Sequence, residues 1–150
     1  MKYVRIRSYE MSEAQLRKTW SDTYCDRANP IYTFDGILVQ FYSEMFDHAF
    51  YESANRKMKD KSVLSLNRCE KIHWIKDALQ DPDSVLKKGW DTKTKSYDGN
   101  RRVAVVKGNY VVVINIISEA VARFITAYQI DDDENLNKLL SGPDYDRAKK

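Results

Sequence analysis

RRVAVVKGNYVVVINIISEAVARFITAY, residues 101 to 128, sets the architecture of the chain. Three runs rich in β-branched and aromatic residues are separated by Gly108-Asn109 and Ser118-Glu119-Ala120, which predicts a three-stranded antiparallel meander. Its middle run, Tyr110 to Ile117, is almost unbroken apolar sequence, the pattern of a central strand covered on both faces. In the last run strict alternation puts Val121, Arg123, Ile125 and Ala127 on one face and Ala122, Phe124, Thr126 and Tyr128 on the other. Thr126 and Tyr128 would then present two neighbouring hydroxyls, although both residues are also ordinary strand formers.

Just before the meander, Asp98-Gly99 predicts a hairpin turn joining Lys93 to Tyr97 with Arg101 to Val106. Val85 to Trp90 suits a further strand, and Asp81-Pro82 ends the helix before it. That helix is capped by Ser65 or Asn67, Asn67 standing three residues before Glu70, and carries an apolar stripe of Ile72, Ile75 and Leu79. Arg68 lies one turn before the stripe, where a guanidinium either meets a phosphate or packs its stem and pairs with a carboxylate. His73 falls on the flank of the same helix, as a surface residue.

A helix is predicted from Ser43 to about Ser53, with Tyr42, Met45, Phe46, Ala49 and Phe50 on its apolar side. Glu44, His48 and Glu52 follow one another at i, i+4 and i+8, so two carboxylates can flank the imidazole and raise its pKa. The other reading is a surface histidine in a solvated stripe. Towards the N-terminus, Ser12 and Gln15 have capping-box spacing and open a helix to about Tyr24, and Lys2 to Arg7 alternates like an edge strand. Asn29-Pro30 and Asp35-Gly36 are turns, with Ile37 to Phe41 a short strand or a buried entry into a helix. After the meander, Asp131 to Glu134 either binds a divalent cation or, since no second carboxylate cluster completes a metal site, complements the dipole of a helix carrying Leu136, Leu139 and Leu140, and the tail after Gly142-Pro143 frays.

The 150 residues are 31% charged and 43% hydrophobic, the balance of one globular domain able to bury its own core. No run is long enough to cross a bilayer and the N-terminus lacks the apolar centre of a signal peptide, so a cytoplasmic location with no membrane partner is expected. Cys25 and Cys69 form no CxxC pair and no zinc-type cluster, so free thiols are expected. Charge is unevenly spread: Lys and Arg number 14 against 7 Asp and Glu in residues 53 to 110, but 6 against 8 before them and 5 against 7 after. Lys57, Lys59 and Lys61, with Arg56, mark a basic loop. Such a segment is either the footprint of a phosphate-rich partner or a solvated loop that aids solubility. P-loop, GxGxxG, GxSxG, HExxH and zinc-deaminase signatures are all missing, which removes most cofactor and metal chemistry.

The order of parts, a helix with FDHAFYES, a basic loop, an Arg-led helix RCEKIHWIKDALQDPDSV and hairpins ending in RFITAY, resembles the phage-associated nucleases of the Barnase, EndoU, colicin-type tRNase and RelE-like group. The likeness spans residues 39 to 143 and leaves 1 to 35 as an extension. It implies an α+β fold in one domain, with N-terminal helices packed on one face of an antiparallel sheet of about four strands. It further implies a metal-independent, cofactor-free endoribonuclease, a toxin or antiphage effector, with RNA (tRNA or mRNA) as partner and an antitoxin or immunity protein to restrain it. Carried onto this sequence, the catalytic residues are His48, Arg68, Thr126 and Tyr128. Lys57, Lys59, Lys61, Arg101 and Arg102 would bind substrate. The second acid or base is left to Glu44, Glu52 or Tyr128. A binding module that keeps the fold without catalysis, or a structural protein of a mobile element, stays open beside this reading.

Overall fold

The computed structural model describes residues 3–52, 63–88, 90–91, 96–97 and 102–145, without the side chains of His48, Glu52, Trp90, Asp91, Ser96 and Tyr97. Its elements, in chain order, are α1 (Glu13–Tyr24), β1 (Ile31–Tyr32), β2 (Leu38–Gln40), α2 (Met45–Phe50), β3 (Tyr51–Glu52), β4 (Val63–Leu64), α3 (Leu66–Cys69) and α4 (Trp74–Gln80). There follow β5 (Val85–Lys88), β6 (Trp90–Asp91), β7 (Ser96–Tyr97), β8 (Arg102–Lys107), β9 (Tyr110–Ile116), β10 (Val121–Gln129) and α5 (Asp133–Leu140).

The meander forms as its sequence dictates: β8 pairs with β9 and β9 with β10, all antiparallel. It is the middle of a six-stranded sheet of order β1-β2-β10-β9-β8-β5, in which only β2 and β10 run parallel. The fold is thus α+β with a mixed sheet, two strands wider than expected. β8 has β5 on its other side, so the expected hairpin partner is displaced: Ser96–Tyr97 pairs with Trp90–Asp91 instead. Asp98-Gly99 lies outside the described residues.

One face of the sheet carries the main core, where α1, α2, α3 and α4 pack over Val103, Val105, Val112, Ile114 and Phe124. Trp20 is its centre, fully buried, with Tyr24, Phe41, Phe50 and Phe124 ring centroids 4.7 to 5.6 Å away. Its indole N–H donates to the Tyr42 carbonyl at 3.0 Å, which satisfies the one polar atom of the ring. Leu16, Trp20 and Tyr24 of α1 and Ile31 of β1 belong to the same core. The second face is smaller, with Ala104, Val106 and Val111 under Leu136, Leu139 and Leu140 of α5. Asp132 caps α5 by accepting from the Glu134 N–H, the role its acidic run predicts.

Several local expectations are corrected. Residues 3 to 7 form no strand; Tyr3 and Ile6 pack against the core, the Ile6 N–H donates to the Glu70 carbonyl and the Tyr3 hydroxyl to Asp81. Too few alternating residues are present there to outweigh these anchors. α2 stops at Phe50, and Tyr51 turns extended at ψ 143°, so Glu52 sits in a strand and the Glu44–His48–Glu52 stripe is not one helix face. The Arg-led helix is two helices, α3 and α4. The Tyr24 hydroxyl donates to the Ile72 carbonyl and accepts from the Lys76 N–H, standing in the i, i+4 bond that one continuous helix would make. The tail beyond Pro143 is held as far as Tyr145, whose N–H donates to the Leu86 carbonyl while Lys87 pairs with Asp144.

The consequential correction lies in β10. The register with β9 slips between Phe124 and Thr126, a bulge that inserts one residue. Alternation restarts after it, so Ala127 joins Ala122 and Phe124 in the main core while Tyr128 packs on the second cluster. Thr126, opposite Val113, shares the face of Tyr128 and not that of Phe124.

Candidate functional site

Arg68 is positioned from two sides. The Ser65 hydroxyl caps α3 by accepting the Arg68 N–H at 3.2 Å, and the Arg68 guanidinium donates through Nη1 to the Ala49 carbonyl at 3.3 Å. That carbonyl is in the last turn of α2, where acceptors lack helical partners and cations are favoured. The guanidinium therefore stands beside the His48–Ala49 segment of α2. Arg5, Arg7 and Arg17 each reach a carboxylate. Arg68, half-buried, reaches none among the described residues.

A narrow crevice opens beside it, lined by Asn67 and Arg68 of α3, Lys71 of the turn after it, and Tyr110, Ala127, Tyr128 and Gln129 from the ends of β9 and β10. Its volume is about 20 Å³, room for one water-sized group. It fits an oxygen atom rather than a nucleotide. Lys71 is buried, donating to the Asn67 carbonyl and side chain, 3.7 Å from Glu70 and 5.8 Å from the Trp74 ring centre. Burial raises the pKa of Tyr110 and Tyr128, and the nearby positive charge of Arg68 offsets only part of that rise. Both phenols remain protonated at neutral pH and can donate.

Of the residues named from sequence, the structure brings Arg68 and Tyr128 together at this crevice. Thr126 shares the second face with Tyr128 but lies outside the crevice lining. His48 lies on α2 next to Ala49, its side chain outside the description, as is that of Glu52. Lys57, Lys59, Lys61 and Arg101 lie outside the described residues. Arg102 begins β8 at the far end of the meander, opposite Asn115, whereas the crevice lies at the Tyr110–Gln129 end. Glu44 is the N-cap of α2, at the helix end remote from Ala49.

Sequence reading missed Lys71 and Tyr110. Lys71 is three residues after Arg68, near enough in spacing to be found with it. Tyr110 comes from the Tyr110–Gln129 pairing, which no local pattern carries. His73 is half-buried, its pKa lowered first by that burial, and with Asp22, Thr23, Lys76 and Asp77 it lines an open recess of about 500 Å³. It is at the surface, as expected, but partly covered. Cys25 and Cys69 are free, and burial pushes the Cys69 thiol to about 12, so it is no nucleophile. Among the described residues no three His, Cys, Asp or Glu side chains gather to hold a metal ion, and no helix is long and apolar enough to cross a membrane.

Set against protein-family models, curated proteins and solved structures, the chain matches none.

Proposed function

We propose that the chain is an endoribonuclease that works without a metal ion, acting in the cytoplasm as a toxin or antiphage effector. The observation that carries this reading is Arg68, a half-buried guanidinium without a carboxylate partner among the described residues, beside Lys71 and two protonated phenols. A fixed cation in such surroundings stabilises charge that builds on a phosphoryl group more than one in water does. In the reaction the RNA 2′-oxygen bonds to phosphorus as the bond to the 5′-oxygen breaks. One proton leaves the 2′-hydroxyl and one reaches the 5′-oxygen, leaving a cyclic phosphate and a free hydroxyl. His48 is the group assigned to proton transfer, Arg68 holds the phosphate, and Tyr128 orients it from the strand. A toxin of this kind implies a protein partner that neutralises it.

A second reading, a binding module without catalysis, is favoured by one observation: burial keeps Tyr110 and Tyr128 protonated, so neither phenol of the crevice serves as a base. Incubation of the purified protein with total RNA in EDTA, from about pH 5 to about pH 9, separates the two. Cleavage that disappears in His48→Ala and Arg68→Ala supports the enzyme. RNA left intact at every pH supports the module.

A further inference from the structure

Strand register sets four polar residues in one row across the sheet. Arg102 of β8 pairs with Asn115 of β9, Asn115 with Arg123 of β10, and Arg123 with Gln40 of β2. Each has main-core residues as strand neighbours, Val103, Ile114 and Ile116, Ala122 and Phe124, or Val39 and Phe41. All four therefore point to the second face. They lie beyond the apolar patch that α5 covers, and none belongs to either hydrophobic cluster.

The row is cationic and under-partnered. Neither arginine pairs with a carboxylate among the described residues, and the Arg102 Nε is buried without an acceptor. A buried guanidinium N–H is costly to leave unmatched, so an acceptor supplied by a ligand would relieve it. The Arg123 guanidinium lies 5.6 Å from the Tyr42 ring centre, and the Tyr42 hydroxyl donates to Gln40 at 3.0 Å. Tyr42 is 36% exposed and Tyr32, on the same face of β1, 47% exposed. Arg102 and Arg123 are two strands apart, about 10 Å between backbones, so together they reach more than one phosphate. Cations in a line with exposed aromatic rings are what an unpaired nucleic-acid strand requires, since its phosphates track the charge and its bases stack.

We propose that the row Gln40–Arg123–Asn115–Arg102 is a phosphate track for single-stranded RNA, with Tyr32 and Tyr42 as stacking platforms. The proposal rests on the RNA reading above but not on cleavage. The test is anisotropy of a fluorescent 2′-O-methyl oligoribonucleotide, which offers phosphates and bases but no attacking hydroxyl, titrated with the full chain at several salt concentrations. Arg102→Ala and Arg123→Ala should each weaken binding about tenfold at low salt and make the salt slope shallower by about 0.7 for each phosphate no longer neutralised. Arg7→Ala, at a distant exposed ion pair, should change neither. If Arg102→Ala does not fold, Arg123→Ala, at an exposed side chain, decides. Unchanged affinity and slope overturn the proposal, as does equal binding of a duplex of the same length or of a poly-glutamate peptide. Loss of cleavage with binding intact would sink the enzyme reading alone.

Discussion

The hydroxyl of Tyr24 occupies the hydrogen bond between Ile72 and Lys76, donating to the Ile72 carbonyl and accepting from the Lys76 N–H. One side chain of α1 thereby separates α3 from α4, which lets α3 and the turn after it carry Arg68 and Lys71 towards β10 while α4 buries Ile75 and Leu79. Tyr24→Phe keeps the ring in the core and removes the bridge. Its expected cost is about 1–3 kcal/mol, read by chemical denaturation, with faster amide exchange at Lys76. A cost below about 0.5 kcal/mol would mean that the helix ladder closes by itself when the hydroxyl is gone.

Trp20 is in ring contact with Tyr24, Phe41, Phe50 and Phe124, so α1, α2, β10 and the segment after β2 meet on it. Trp20→Ala should cost about 3–5 kcal/mol, a large part of the stability of a domain of this size. The midpoint of urea unfolding checks this. A variant as stable as the parent would show that the N-terminal helix is dispensable to the core.

The bulge in β10 is testable by deletion. Removing Ile125 deletes the extra residue, so Thr126 follows Phe124 opposite Val113 and Ile114 without a slip, and Ala127 and Tyr128 keep the faces they have. The expected outcome is a variant that retains cooperative unfolding and near-ultraviolet dichroism. Loss of the sharp transition would place the slip elsewhere.

Arg68→Lys retains a charge but loses the planar fork that spans the Ala49 carbonyl and a ligand oxygen. Cleavage, where present, should fall at least about tenfold in Arg68→Lys and further in Arg68→Ala, with kcat falling more than KM rises. Thermal melting of the same variants separates this from loss of the fold.

His73 gives the stability a pH dependence. Burial lowers its pKa in the folded chain, so between the folded value and the unfolded one, about 6.5, the unfolded chain binds more protons. Stability from this group is complete above about pH 6.5 and declines as pH falls through that value. Asp77 opposes the shift and Lys76 adds to it. Denaturation midpoints at about pH 7.5 and about pH 5.5 should differ less in His73→Gln than in the parent chain.

Elements with strong local signals were legible in the order of residues alone. The β8–β9–β10 meander, the capped α1, the turn at Gly36 and the Leu-bearing α5 all follow from period, cap or turn chemistry, forces that act within a few residues. Long-range packing settled the rest. A bulge changes the face of Thr126 and Tyr128 without altering composition, so alternation alone assigned both to the face of Phe124. The break between α3 and α4 depends on a hydroxyl 48 residues away, and β2 enters beside β10 through a parallel pairing that no hairpin signal announces. Arg68 was legible because it stands one turn before the apolar stripe of Ile72, Ile75 and Leu79. Its companions Tyr110 and Tyr128 were not legible as a group, since only the pairing of β9 with β10 and the packing of α3 beside them set those side chains around one crevice.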